Sequence, residues 1–483
     1  MYFKYKPNPL PLPRAECPEP VLDEKPEWIE LYWQTWELAW NHVLHHEGAP
    51  QSPYMDEGVD PNTIWIWDTA FMALFCKYAP HVFPGIQSLD NFYRPMYDKV
   101  PTPQRIHHPD NPPLFAWTEY EHYRFTGDVR RITRIMREKC YLQRHYEFLE
   151  NVRPGDSFHF DAGTVYLKRC PHGYTWSGNP SGMDNTPRGR GDYDGILWFD
   201  AMAQQALSAL YIARLATEID DVETARAFTS RHSALREQIN TWYWDEEDGI
   251  YYDIRLDAPS RKVRVKTPAA YWPLLAELCD DVQAGRLAEH VAAPRTFGGD
   301  YPWASVARDD PDYEPQGMYW RGGIWLPTAY AGIKALEKYG YQNLADSTAW
   351  RLIDQMECTC REVEPHTVWE CYHPEAAMPA TGKRNAVFVR PDFCGWSALG
   401  PISLLIENVL GFRAADAVER RLVWDRRRSG RHGIRRLRFG DVVTDVISEG
   451  ERINVTSTQA YTLVLNGRRF SVRPGTQVID ASA

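Results

Sequence analysis

Between residues 27 and 410 apolar positions recur every three to four residues, in runs separated by polar stretches rich in Gly and Pro. That period marks amphipathic helices. The first run, 27–46, carries Ile29, Trp33, Trp36, Leu38, Trp40 and Val43 near a 3.6-residue repeat. Comparable runs cover 67–79, 85–98, 114–126, 128–150, 194–217, 221–242, 269–280, 282–292, 321–339, 343–361 and 393–410. These twelve segments predict a mainly α fold, an (α/α)6 toroid in which six inner helices are ringed by six outer ones. Inner helices are buried on most sides and should be apolar nearly all round. The run RGGIWLPTAYAGIKALEKY at 321–339 has that character.

After residue 412 the pattern turns to alternation. VVTDVI, RINVT, YTLVL and RRFSV read as short strands, the last two joined through Asn466-Gly467, a strong hairpin signal. The expected organisation is a Pro-rich N-terminal arm (1–26), a barrel (27–411) and a small C-terminal β domain (412–483). The connections 152–193, 294–320 and 362–392 are long and rich in Gly, Pro and aromatics, and loops of that length are usually functional.

Composition narrows the function classes. With 43% hydrophobic and 25% charged residues, a largely disordered chain is excluded. A net charge of −11 argues against a nucleic-acid partner, because an acidic body repels phosphate backbones. No apolar run reaches the length of a membrane span, so no membrane association is expected. The opening residues, with six prolines between Pro7 and Pro20, lack the apolar centre of a secretory signal, and a cytoplasmic protein is expected. The nine cysteines form no regular framework, and Cys358 and Cys360 have no second pair at metal-ligand spacing. They read as reduced thiols, with no metal and no cofactor. WYWDEEDG at 242–249 could pass for a calcium loop but reads better as a helix end and turn. Residues 412–440 hold ten arginines against three acids, a solvated face or a surface that docks on the acidic barrel rather than an interaction patch. The 19 tryptophans, 27 tyrosines and 18 phenylalanines fit a large core more readily than a sugar-binding cleft on counts alone.

Four segments in or beside the loops carry candidate chemistry. Asp184 lies in SGMDNTPR (181–188), where an aspartate ordinarily caps a turn or helix. Glu370 lies in TVWECYHP (367–374), near Trp369 and Tyr372. Such an aromatic wall shields a carboxyl or raises its pKa, although a surface glutamate fits the same string. YWRGGIW (319–325) sets Arg321 beside Trp320 at a helix start, as a clamp on hydroxyls or as a structural ion pair. WIWDTAF (65–71) sets Asp68 after Trp67, where a helix cap is the simpler role.

Together these strings resemble the signatures of glycoside hydrolase family 63 and its mannosylglycerate and glucosylglycerate hydrolase relatives. SGMDNTPR is similar to their SGMDNSPR, YWRGGIW to YWRGPIW, WECYHP to their E-x-Y-x-P segment and WIWDTAF to WDSxF. PPLFAW (112–117) and FCGWS (393–397) resemble two further helix starts, and all six occur in the family's order. The resemblance implies an inverting, exo-acting α-glycosidase on an (α/α)6 barrel, with Asp184 as general acid and Glu370 as general base. It also implies a sugar subsite with Trp67, Trp117, Trp320, Trp369, Tyr372 and Trp396 as walls and Asp68, Asn185 and Arg321 as hydroxyl partners. The partner would be an oligosaccharide or small glycoside. Three departures fall near the expected mouth: an insertion before Thr381-Gly382, Gly189-Arg190-Gly191 after Arg188, and Gly323 in place of proline. The alternatives are another toroidal sugar enzyme (epimerase, phosphorylase or lyase) or a non-catalytic carbohydrate-binding protein. Epimerases of this shape rely on paired histidines, whereas these motifs are built on Asp and Glu.

Overall fold

The computed structural model describes residues 8–156, 165–383 and 387–480. Its helices are α1 (Pro26–Asn41), α2 (Ile66–Cys76), α3 (Asp90–Asp98), α4 (Phe115–Thr126), α5 (Val129–Thr133), α6 (Tyr141–Asn151), α7 (Phe199–Glu218), α8 (Val222–Trp242), α9 (Trp272–Leu275), α10 (Asp281–Ala292), α11 (Leu326–Lys338) and α12 (Gln342–Glu362). A short turn, Ser397–Leu399, runs into a wider helix, Gly400–Val409.

Six segments pack on one another in a closed cycle: α2 on α4, α4 on α7, α7 on α9, α9 on α11, α11 on Ser397–Leu399, and that turn back on α2. Burial explains the sorting. Every residue of α2 and of Gly400–Val409 is buried, as is most of α7, whereas α8 buries only Phe228, Leu235 and Ile239. Helices that are apolar all round take the interior, and one-sided helices pack outside them. Thus α8 lies on α7, α12 lies on α11 and on Gly400–Val409, and α1 lies on α12 and on Gly400–Val409.

Local chemistry moves several boundaries. The run 128–150 is two helices, because Cys140 adopts a left-handed conformation and α6 restarts after it. The run 269–280 holds only a short turn and α9, with Pro268 and Pro273 at their starts. Residues 321–325 precede α11 as a turn, and Ile196–Leu197 form a strand against Asp253–Arg255 before α7 begins. Asp280 and Gln283 form a reciprocal cap on α10.

The C-terminal region forms two sheets. One has four strands in the order Phe412–Asp416, Arg421–Trp424, Tyr461–Leu465, Arg468–Val472, and the last pair is the hairpin turned by Asn466-Gly467. The other is antiparallel, in the order Glu19–Leu22, His432–Phe439, Val442–Glu449, Arg452–Ser457, Gly475–Asp480. The strand Glu19–Leu22 of the Pro-rich segment thus belongs to the C-terminal sheet. The arginine run explains the pairing: Arg436 and Arg435 hold Glu19, Arg431 holds Asp23, and Arg428 holds Glu24. Arg413 reaches Asp346 of α12 at 2.6 Å, so the run docks on acids of the helical region and of the N-terminal segment.

Residues 242–249 are a helix end followed by a hairpin, Trp244–Asp245 against Ile250–Tyr251. No group of His, Cys, Asp and Glu arranged to hold a metal occurs among the described residues. No helix of the described residues is long and apolar enough to cross a membrane.

Candidate active site

The N-terminal ends of the inner segments, and the loops leading into them, surround a cavity of about 690 Å³. Its lining includes Trp67 and Asp68 from the start of α2, His107, His108 and Asn111 before α4, and Asp184 before α7. Tyr319 comes from before α11, and Glu370, Lys383, Arg390 and Trp396 from the long connection after α12. The two carboxylates singled out by the sequence, far apart along the chain, therefore face one space.

The loop of Asp184 is held by what lies on either side of it. Arg188 is fully buried and forks onto two carboxylates, Asp200 (2.5 and 2.9 Å) and Asp253 (2.5 and 2.8 Å). Its guanidinium also lies 4.5 Å from the centre of the Trp198 ring. Gly182 has φ +83°, and a Cβ there would stand 3.0 Å from the Trp67 indole, so glycine permits the loop to lie against that ring. Asn185 ties two loops together: its amide donates to the Met318 carbonyl at 3.0 Å, and its oxygen accepts from the Trp320 backbone at 2.9 Å.

The Glu370 segment is braced by its own return. Backbone bridges link Trp369 to Pro391, Tyr372 to Pro379 and Thr381 to Phe388, so 369–391 folds back on itself. The Trp396 indole donates to the Glu370 carbonyl at 2.8 Å. At the carboxylate, Arg390 donates to Oε1 at 2.6 Å and to Oε2 at 3.2 Å, and the Tyr319 hydroxyl donates to Oε1 at 2.8 Å. Asp184 is engaged by Lys383, whose Nζ lies 2.7 Å from Oδ2.

These surroundings split the two carboxyls. At Asp184 burial pushes the pKa up; Lys383 opposes it, the negative charge of Glu370 adds to it, and the net direction is upward. At Glu370 burial also pushes upward, but Arg390 and Tyr319 outweigh it and the carboxyl lies below its usual range. One group thus tends to keep its proton while the other stays ionised, which is the division acid–base catalysis needs. Asp68 is pushed well up by burial, with Arg390 opposing and both Asp184 and Glu370 adding to the rise.

The other expected subsite residues divide. Trp67, Asp68 and Trp396 line the cavity. Trp117 does not: it packs against Phe71, Trp272 and Tyr330 and lines a second cavity at the opposite ends of the inner helices. Trp320 is buried and stacked on Trp325 at 4.1 Å. Trp369 is buried beside Phe388, and the Tyr372 hydroxyl accepts from the Trp369 backbone at 3.2 Å. Arg321 faces Asp312 at 3.6 Å. None of these five lines the cavity; a core rich in aromatics absorbs tryptophan as readily as a cleft does. Gly323 donates its backbone N–H to Tyr319 at 3.0 Å, a bond that proline in its place would remove. In the inserted stretch, Glu375 pairs with Arg308 at 3.0 Å, and beyond Arg188 the exposed Arg190 pairs with Asp312 at 3.2 Å.

Lys383, Arg390, Tyr319 and the adjacent His107 and His108 escaped the sequence reading. The one sequence signal is that Lys383 and Arg390 follow Thr381-Gly382, which brings cations into a segment built around a glutamate.

An aromatic-lined cavity with two carboxyls of opposite tendency is the equipment of a glycoside hydrolase. The chain belongs to the mannosylglycerate hydrolase MGH1-like glycoside hydrolase family, whose domain model matches residues 98–385. It is 26% identical over 305 residues to an uncharacterized protein of Borreliella burgdorferi, covering 62% of this chain and 59% of that one. It is 24% identical over 259 residues to the mannosyl-oligosaccharide glucosidase of Saccharomyces cerevisiae, covering 49% of this chain and 30% of that one. The match thus spans less than two thirds of either relative. In fold it is similar to the family 63 mannosylglycerate hydrolase of Thermus thermophilus, solved with glucose, at a TM-score of 0.58 and 17% identity. That similarity covers 77% of this chain and 99% of the other.

Proposed function

We propose that this protein is an inverting, exo-acting α-glycosidase that hydrolyses a short α-glucoside or a related α-linked oligosaccharide or glycoside. Asp184 is the general acid and Glu370 the general base. The observation that carries the reading is the opposite tendency of two carboxyls lining one cavity. Asp184 gives its proton to the glycosidic oxygen as the anomeric C–O bond breaks. A water on the other face of the ring attacks that carbon and passes its proton to Glu370. Direct displacement of this kind requires the carboxyls to stand about 6.5–9.5 Å apart, leaving space for the water.

The closed cycle of helices is read as the inner ring of an (α/α)6 toroid, which blocks the cavity inward and favours chain ends. Trp67 and Trp396 serve as walls for the non-reducing sugar and Asp68 as a hydroxyl partner. Asn185 ties the Asp184 loop to residues 318–320, and Trp320, Trp369 and Tyr372 are buried in the segments that carry Tyr319 and Glu370. All nine cysteines are free, which supports a reducing compartment such as the cytoplasm.

The test is to replace Asp184→Asn and Glu370→Gln separately and assay kojibiose, nigerose, trehalose, glucosylglycerate and mannosylglycerate. Each variant should lose about 10²–10⁴-fold in kcat/KM on the substrate that the unaltered protein cleaves. Wild-type hydrolysis by either rejects the assignment.

A further inference from the structure

The return of the Glu370 segment delivers a cation to each carboxylate. Arg390 grips Glu370 at both oxygens, while Lys383 touches Asp184 at Oδ2, 2.7 Å away. The two contacts differ in kind. Arg390 is buried, its side chain 14% exposed, whereas Lys383 is 47% exposed and reaches in from the rim. The Lys383 ammonium also lies 5.1 Å from the centre of the Tyr319 ring, and the Tyr319 hydroxyl is bonded to Glu370. Lys383 is therefore placed between the acid and the system that holds the base.

We propose that Lys383 is the positioning residue of the acid: its ammonium group fixes Oδ2 of Asp184, so that Oδ1 is the oxygen that carries and delivers the proton. This rests on Asp184 being the general acid. A cation on Oδ2 stabilises the carboxylate left behind after transfer, and so makes Oδ1–H a stronger donor to the leaving oxygen. It also keeps Asp184 from rising so far that the proton is never released. The groups that face Asp184 are Lys383, Glu370, Arg390, Asp68 from α2, Tyr319 before α11, and Tyr193 of its own loop. Lys383 is the one among them bonded to the carboxylate at an accessible rim position. Removing it leaves burial and the charge of Glu370 unopposed except by Arg390.

The test needs no substrate. Carbodiimide consumes protonated carboxyls, so the pH midpoint of Asp184 labelling, read by peptide mass spectrometry on the full chain, reports its titration. In Lys383→Met the midpoint should rise by about one pH unit or more, the shift expected when a bonded cation is lost. Lys383→Arg should restore it. In the turnover assay the alkaline limb of kcat/KM should rise with the midpoint in Lys383→Met, while the acid limb stays where Glu370 sets it. A midpoint that does not move in Lys383→Met overturns the proposal, as does an arginine variant that behaves like methionine. Failure of the underlying reading shows separately, as wild-type hydrolysis by Asp184→Asn.

Discussion

Arg188 anchors the loop that carries Asp184, the proposed acid, and its removal should be costly in a measurable way. The side chains of Arg188 and Asp200 are each 1% exposed and that of Asp253 is 2% exposed, so Arg188→Met leaves two carboxylates buried without their cation. Breaking a buried pair by removing one partner costs about 3–5 kcal/mol. Part of that is relieved if Asp253, which burial already pushes up against the opposing charge of Arg188, takes a proton. An unfolding entropy of about 2.1 cal/mol/K per residue gives a chain of 483 residues a slope of about 1 kcal/mol per kelvin. The expected fall in Tm by scanning calorimetry is therefore about 3–5 °C. Adding Asp200→Asn and Asp253→Asn to the same protein should recover much of the loss, because the penalty lies in stranded charge. Activity should fall too, by up to about 10²-fold, since displacement of a catalytic group by about 1 Å costs that much. A Tm within about 1 °C of wild type together with full activity would refute the view that this cluster holds the acid loop.

Other outcomes follow from the same geometry. The kcat/KM profile should be bell-shaped, its acid limb below the ordinary glutamate value and its alkaline limb above the ordinary aspartate value; in Glu370→Gln the acid limb should disappear, and its persistence would contradict the role of Glu370. Burial holds His42 at about 4 and His122 and His145 at about 3. In the folded chain these rings should therefore stay neutral as pH drops from about 7 to about 5, and their ring C–H resonances in proton NMR should not move over that range; titration of these rings at about 6.5 contradicts their burial as neutral groups. Gly182→Ala places a Cβ 3.0 Å from the Trp67 indole at φ +83°, and should cost about 1–2 kcal/mol in urea unfolding. Deleting residues 1–25 uncovers the edge of His432–Phe439, and light scattering should show more concentration-dependent association than for the full chain.

The sequence exposed the helical alternation because α2, α7 and α11 must be apolar all round to sit inside a ring, whereas α8 and α12 need one face only. It hid the breaks at Cys140 and before Leu326, which depend on single backbone conformations and tight glycine contacts rather than on period. The place of Glu19–Leu22 was equally hidden, since its partners lie more than 400 residues away along the chain. At the site, Asp184, Glu370, Trp67, Asp68 and Trp396 were legible because motif strings mark them. Lys383 and Arg390 were not, because a cation acquires its partner only once the 369–391 return sets which residues face the cavity. The tryptophans split for a related reason: stacking on Trp325 and packing against a sugar ring impose the same composition.

The proposed reaction is a single displacement at the anomeric carbon by water held on Glu370, driven by a proton from Asp184. Proton NMR of the reducing sugar in the first minutes of hydrolysis of an α-linked substrate, before mutarotation, tests it most directly. Inversion of an α linkage should release the β anomer first. The α anomer appearing first would mean retention, a covalent or differently placed nucleophile, and a different use of these two carboxylates.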